Sequence, residues 1–340
     1  MGIYMEKPLQ KGSVKMTFYL RINAIITRTV ELPHCPRFCY LTMMNSFQKA
    51  FLAVICVAVT AGNSPAQTNA PAPHHSAHVR LINMPANPKL PSLFLIGDST
   101  VRNGQGLGDG GQWGWGDFLA PYFDTNQINV VNRALGGTSS RTFYRDQWPA
   151  VRALLKPGDF VIMQFGHNDN GPLNDDSRAR GTIKGVGDEA QTITNQMTKA
   201  IEAVHSFGWY EKQIVAEARA KGASSMICSL IPRNTWQDGH VARAKDNYAG
   251  WAGQVAASEN APFLDINDII ADEYDMLGQD KVNPLFIVGA GPHTSMAGAE
   301  TNAAAVIAAL KGLKTTGPLT KYLSDKASGV AGVTPTSGTM

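Results

Sequence analysis

Four residues, Ser99, Gly137, Asn168 and His293, each stand beside a segment whose pattern marks a buried strand or helix, and their types are complementary. Ser99 closes the stretch Phe94-Leu95-Ile96-Gly97-Asp98-Ser99-Thr100, where an apolar run stops at a glycine and the backbone turns out of a sheet. A hydroxyl at such an edge can attack an ester carbonyl if a base takes its proton and donors meet the oxyanion. His293, in Gly291-Pro292-His293-Thr294-Ser295, can take that proton and return it to the leaving alcohol. The backbone N–H of Gly137 is approachable because glycine has no Cβ. The amide of Asn168 and the N–H of Ser99 are a second and a third donor. Taken singly, each of these residues reads as an ordinary turn residue; only the set carries chemistry.

The elements that must position them alternate along the chain. Strands are predicted at 94–96, 128–131, 160–165, 226–231 and 262–266. Helices are predicted at about 115–123, 146–155, 209–221, 268–277 and 296–313. In the last of these, Ala299, Ala303, Val306, Ile307 and Leu310 form one apolar stripe. Strands alternating with helices indicate an α/β fold, a three-layer α/β/α sandwich with a mainly parallel central sheet. About 230 residues suffice to bury a core in one such unit. In sheets of this kind ligands bind at the carboxyl ends of the strands. That rule gathers Gly97 to Thr100, Asn132 to Ser139, Gly166 to Asp169 and Gly291 to Ser295 on one edge.

These blocks, in this order, closely resemble the SGNH (GDSL-type) hydrolase family and, within it, the rhamnogalacturonan acetylesterase-like branch. The likeness runs from Leu93 to Leu313 and includes Val204 to Tyr210, Ile231 to Trp236 and His293-Thr294-Ser295 followed by Ala297-Gly298-Ala299. It implies a flavodoxin-like sheet, no metal and no cofactor, and removal of O-acetyl groups from a plant cell-wall polysaccharide such as pectic rhamnogalacturonan. It also implies Ser99 as nucleophile, His293 as base, and Gly137 and Asn168 as oxyanion-hole donors. The chain departs from the family at one position. The family carries an aspartate three residues before the histidine, and here that residue is Ala290. In a serine protease the amide replacement of this acid lowers kcat by about 10⁴. Three readings stay open: a Ser-His dyad with a backbone carbonyl orienting His293, an acid supplied from elsewhere, or a weakened or inactive protein that only binds carbohydrate. An esterase or lipase for other acyl esters is a further alternative.

Other patterns carry less. Gly106-Leu107-Gly108-Asp109-Gly110-Gly111 fits a dinucleotide fingerprint but neither follows a strand directly nor opens a helix, so a loop is the better reading. No G-x-S-x-G occurs, which argues against an α/β-hydrolase nucleophile elbow. Trp113, Trp115 and Trp236, the last beside Arg233 and Asn234, are candidates for stacking on sugar rings and bonding their hydroxyls or, equally, for structural roles. His167 and Asp169 read as shaping the loop that presents Asn168 rather than as metal ligands, and Cys228 as core.

The N-terminal segment organises the rest. Lys49, the apolar run from Ala50 to Ala61 and Ser64-Pro65-Ala66 read as a signal peptide over 43–66, and residues 1–42 as an upstream extension or leader. Residues 67–92, rich in Pro, Ala, Asn and His, read as a flexible linker, 93–325 as the hydrolase domain and 326–340 as a disordered tail. A secreted or periplasmic protein follows, with no stable membrane association after cleavage. Residues 1–66 hold seven of the basic residues and two of the acidic ones; without them Lys plus Arg falls from 30 to 23 and Asp plus Glu from 27 to 25, a net charge of about −2. The basic balance belongs to the leader, so nucleic acid is not an expected partner; an acetylated polysaccharide or oligosaccharide is. The oligomeric state is left open.

Overall fold

Six consecutive buried residues, Ser92–Gly97, form strand β1, and side chains of both faces of the sheet are anchored in it. The computed structural model describes residues 83–313 and 317–334, together with short strand segments between Ile3 and Val30. The chain divides into two compact units, Met1–Ser76 and Ala77–Met340. In the first, Ile3–Tyr4, Met16–Phe18 and Thr29–Val30 pair antiparallel, and Arg21–Ile22 pairs with Ala24–Ile25. The expected signal peptide at 43–66 lies outside the described residues.

In the second unit β1 joins β2 (Asn129–Asn132), β3 (Phe160–Gln164), β4 (Ser224–Cys228) and β5 (Phe263–Leu264) in one parallel sheet of order β5-β4-β3-β1-β2. Register sets Leu93 beside Val130 and Phe160, and Gly97 beside Gln164. Because strand side chains alternate, Leu93, Leu95, Phe160, Ile162, Met226 and Cys228 face one layer while Phe94, Ile96, Val161, Met163 and Ile227 face the other. The second layer consists of α1 (Ser140–Asp146), α2 (Trp148–Leu154), α3 (Phe207–Ala220) and α4 (Tyr248–Ser258). The first consists of α5 (Ile266–Leu277), α6 (Met296–Gly312) and two 3₁₀ turns, Trp115–Asp117 and Ala120–Tyr122. This is the three-layer α/β/α sandwich. Burying one Leu or Phe side chain fully contributes roughly 1.5–3 kcal/mol, which is why continuous apolar strands drive it.

The strand order places β1 between β2 and β3, so the chain builds outward from β1 in both directions. Loops leaving β1 and β3 then diverge to opposite faces and open a crevice at the carboxyl edge. Gly97 is required at that edge: φ is +157°, and a Cβ would come within 2.5 Å of the Gln164 carbonyl oxygen.

Two boundaries differ from the sequence reading. The expected linker at 67–92 is fixed at its end, since Asn83 Nδ2 donates to the Asn132 carbonyl and Asn87 and Asn129 exchange hydrogen bonds. The expected tail from 326 is likewise held as far as residue 334. Asp325–Ser328 is helical, Lys311 donates to the Ala327 carbonyl, and the Val333 N–H donates to the Ala308 carbonyl. In both places backbone hydrogen bonding to the domain overrides a composition typical of linkers.

Candidate active site

β1 delivers Ser99 to the crevice through a tight turn. The Asp98 carboxylate accepts from the Thr100 N–H at 2.8 Å and from its hydroxyl at 2.7 Å, and Gln164 donates to that same hydroxyl. Burial pushes the Asp98 carboxyl up to about 6. Trp115 is fully buried and donates to Gln164 at 2.9 Å, so it braces this turn from beneath and is part of the core, not a sugar platform.

His293 arrives on the loop between α5 and α6. Its strand-like neighbours fix it: the Trp113 N–H donates to the Thr294 carbonyl, the Thr294 hydroxyl donates back to the Trp113 carbonyl, and Ser295 caps α6. The result is a separation of 2.8 Å between Ser99 Oγ and His293 Nε2, although the two residues lie 194 positions apart in sequence. The Ala290 carbonyl accepts from the His293 backbone N–H at 3.4 Å and favours the charged form of the ring. For the ring to accept the serine proton, Nε2 must be the unprotonated nitrogen and Nδ1 the protonated one. Burial first and Arg233 second hold His293 below its ordinary 6.5, while the Ala290 carbonyl acts the other way. No carboxylate of a described residue lines the cleft around it.

The loop after β2 brings Gly136 and Gly137 against Ser99. Gly137 has φ +83°, a left-handed conformation that glycine adopts without strain, and its carbonyl accepts from Arg180 at 2.7 Å. Neither the Gly137 N–H nor the Ser99 N–H donates to an acceptor among the described residues. The loop after β3 brings Asn168, whose Nδ2 donates to the Thr138 carbonyl at 2.8 Å. That bond uses one of its two N–H groups and fixes the plane of the amide.

Asp169, next to it, accepts from the Ser140 N–H and hydroxyl and from the Gly166 N–H, and burial pushes it up to about 7. It ties the loop to the start of α1, the shaping role expected of it. The buried His167 imidazole is pushed down to about 3 by burial and by the neighbouring Arg233 and His293, so it stays neutral.

The structure therefore brings Ser99, Gly137, Asn168 and His293 into one cleft of about 590 Å³. Arg178, Arg180 and Arg233 also line it, and no carboxylate of a described residue does. Arg178 and Arg180 are what the sequence reading missed, since they lie in the long loop between β3 and α3, where no periodicity predicts facing. Arg233, a candidate for bonding sugar hydroxyls, does face the cleft. No tryptophan lines the cleft: Trp113 packs on Phe118, and Trp236 donates to Asn234 at 2.7 Å. Cys228 is buried in the core.

Residues 95–300 match the model of the GDSL-like Lipase/Acylhydrolase family. The chain is 31% identical over 221 residues to the rhamnogalacturonan acetylesterase of Emericella nidulans, covering 64% of this chain and 84% of that one. It is 30% identical over 238 residues to the probable rhamnogalacturonan acetylesterase YesY of Bacillus subtilis, covering 68% and 96%. Among solved structures, the crystal structure of the Bacillus subtilis protein YxiM is similar with a TM-score of 0.53 at 24% identity. That match covers 65% of this chain and 56% of the other, and it speaks to fold alone.

Proposed function

The chain belongs to the GDSL-like lipase/acylhydrolase family, and we propose that it is a secreted serine esterase removing O-acetyl groups from a pectic, rhamnogalacturonan-like polysaccharide of the plant cell wall. The observation that carries the reading is the 2.8 Å pairing of Ser99 with His293 beside the N–H groups of Gly137 and Ser99, which have no acceptor among the described residues.

In this account Ser99 Oγ attacks the acetyl carbonyl carbon as its proton passes to His293 Nε2. The carbonyl oxygen becomes an oxyanion held by the N–H groups of Gly137 and Ser99 and the amide of Asn168. The intermediate collapses, the C–O bond to the sugar breaks, and His293 returns the proton to the sugar hydroxyl. Water then attacks acetyl-Ser99 with His293 as base, and acetate leaves as Oγ regains its proton. The Ala290 carbonyl favours the charged imidazole and so supports a Ser-His dyad, with a neutral group in place of an aspartate.

Ala290 also favours a second reading, a carbohydrate-binding protein with weak or lost catalysis, because a neutral carbonyl stabilises imidazolium less than a carboxylate does. Acetate release from acetylated pectin separates the two. Turnover that Ser99→Ala abolishes fits the esterase; sugar binding without turnover by the native chain fits the binding protein.

A further inference from the structure

The catalytic cleft is lined by three guanidinium groups and by no carboxylate of a described residue, while the buried Asp98 acts on Arg180 and Arg233 from beneath. Arg178 and Arg180 stand on the Gly137 side, with Nη1 atoms 3.6 and 3.9 Å from where a Cβ of Gly137 would lie. Arg233 stands on the histidine side, with Nη1 3.5 Å from the corresponding point at Gly291. Arg180 is committed to the Gly137 carbonyl. The side chains of Arg178 and Arg233 make no hydrogen bond or ion pair with a described residue, and both residues are exposed to the cleft.

Such a wall favours the oxyanion that forms on the ester but disfavours the imidazolium. Like charges repel, and Arg233 opposes the positive charge that His293 takes on when it accepts the serine proton. A ligand that brings negative charge removes the conflict. A guanidinium fork matches a carboxylate in two parallel hydrogen bonds, which is why free arginines facing a cleft fit that anion. The acetyl ester is neutral, so the charge must belong to the sugar that carries it or to the next sugar in the chain.

There is room for that next sugar. A second cavity of about 530 Å³ shares His167 and Arg233 with the catalytic cleft, and Lys184, Arg243, Asp246 and Trp251 are among its other lining residues. Arg233 thus stands at the junction of the two cavities, between the ester and a neighbouring unit.

We infer that Arg178 and Arg233 are specificity residues that recognise carboxylates of a uronate-bearing sugar chain, selecting acetyl esters on acidic polysaccharide over those on neutral polysaccharide. This rests on reading the cleft as a polysaccharide acetylesterase.

The test compares kcat/KM for acetate release from acetylated oligomers of galacturonic acid and of xylose, at low and at high salt. In parallel, calorimetry measures binding of the unacetylated galacturonic acid trimer to Ser99→Ala. The native enzyme should favour the acidic substrate by about tenfold or more at low salt, with the preference shrinking as salt rises. Arg178→Gln and Arg233→Gln should each lower that ratio by about tenfold, through KM. Equal use of both substrates, or a ratio unchanged in both variants, overturns the assignment. If neither polymer releases acetate, the esterase reading fails, and the calorimetry still decides the arginines. Binding of the trimer to Ser99→Ala that Arg233→Gln removes upholds them, and no binding overturns them.

Discussion

Nε2 of His293 lies 2.8 Å from Oγ of Ser99, and the backbone N–H of the same histidine donates to the carbonyl of Ala290 at 3.4 Å. That carbonyl favours the charged ring, and Ala290 stands where the resemblance places an aspartate, three residues before the histidine. A neutral group stabilises the imidazolium less than a carboxylate would.

Restoring that charge should raise turnover. Ala290→Asp is expected to increase kcat by tenfold or more, bounded by the roughly 10⁴ that separates a carboxylate from an amide in a serine protease. Steady-state kinetics on p-nitrophenyl acetate measures it. An unchanged or lower kcat in a folded variant would show that the carbonyl already does all an acid could.

The pH profile follows from the same environment. The base must be neutral to act, and burial with Arg233 holds His293 below 6.5, so the acid limb of kcat/KM should lie below pH 6.5. Arg233→Gln removes a cation that opposes the charged form. Its acid limb should therefore move to higher pH. Movement to lower pH, or none, would remove Arg233 from the electrostatics of the base.

Asn168 is fixed by its bond to the Thr138 carbonyl, so replacing it should affect the transition state more than binding. Asn168→Ala is expected to lower kcat by about 10²–10³ with little change in KM. A loss seen only in KM would make the amide a substrate contact instead of an oxyanion donor.

The positions of Ser99, Gly137, Asn168 and His293 were legible because each terminates or precedes an element that buries a continuous apolar run. Burial on both sheet faces makes β1 and β3 plain in sequence. The exposed hairpin of Ala190–Thr194 and Ile201–His205 was not legible: its first strand is almost wholly solvent-facing, so polarity does not alternate. The segment around 115–123 was expected to be one helix and forms two 3₁₀ turns, where Gly114, Gly116 and Pro121 disfavour a continuous helix. The partner of His240, Asp275 at 3.2 Å, is 35 residues away and could be found only in three dimensions. Arg178 and Arg180 are of the same kind, since facing in an irregular loop leaves no periodic trace.

A stability prediction comes from Glu211 on α3, which is fully buried with neither carboxylate oxygen hydrogen-bonded. Burial raises its carboxyl well above 4.5, so the native state keeps the proton and the unfolded state releases it. The unfolded chain then binds fewer protons above pH 4.5, and stability falls as pH rises from there until the folded group also ionises. Glu211→Met should flatten that slope and raise Tm at pH 8 by roughly 2–4 °C, the shift that about 1 kcal/mol gives a domain of this size. Calorimetry at pH 5 and pH 8 reads it; an equal loss of stability at both would give Glu211 a structural partner role.

The central claim is that Ser99 is an activated nucleophile whose base is His293, with no acid behind it. Fluorophosphonate labelling of the purified chain, followed by mass spectrometry of the peptide containing Ser99, tests this most directly. The account predicts a stoichiometric adduct on Ser99, absent in Ser99→Ala and slowed by about 10³ or more in His293→Ala. An unlabelled Ser99, or labelling at the same rate without His293, would contradict it.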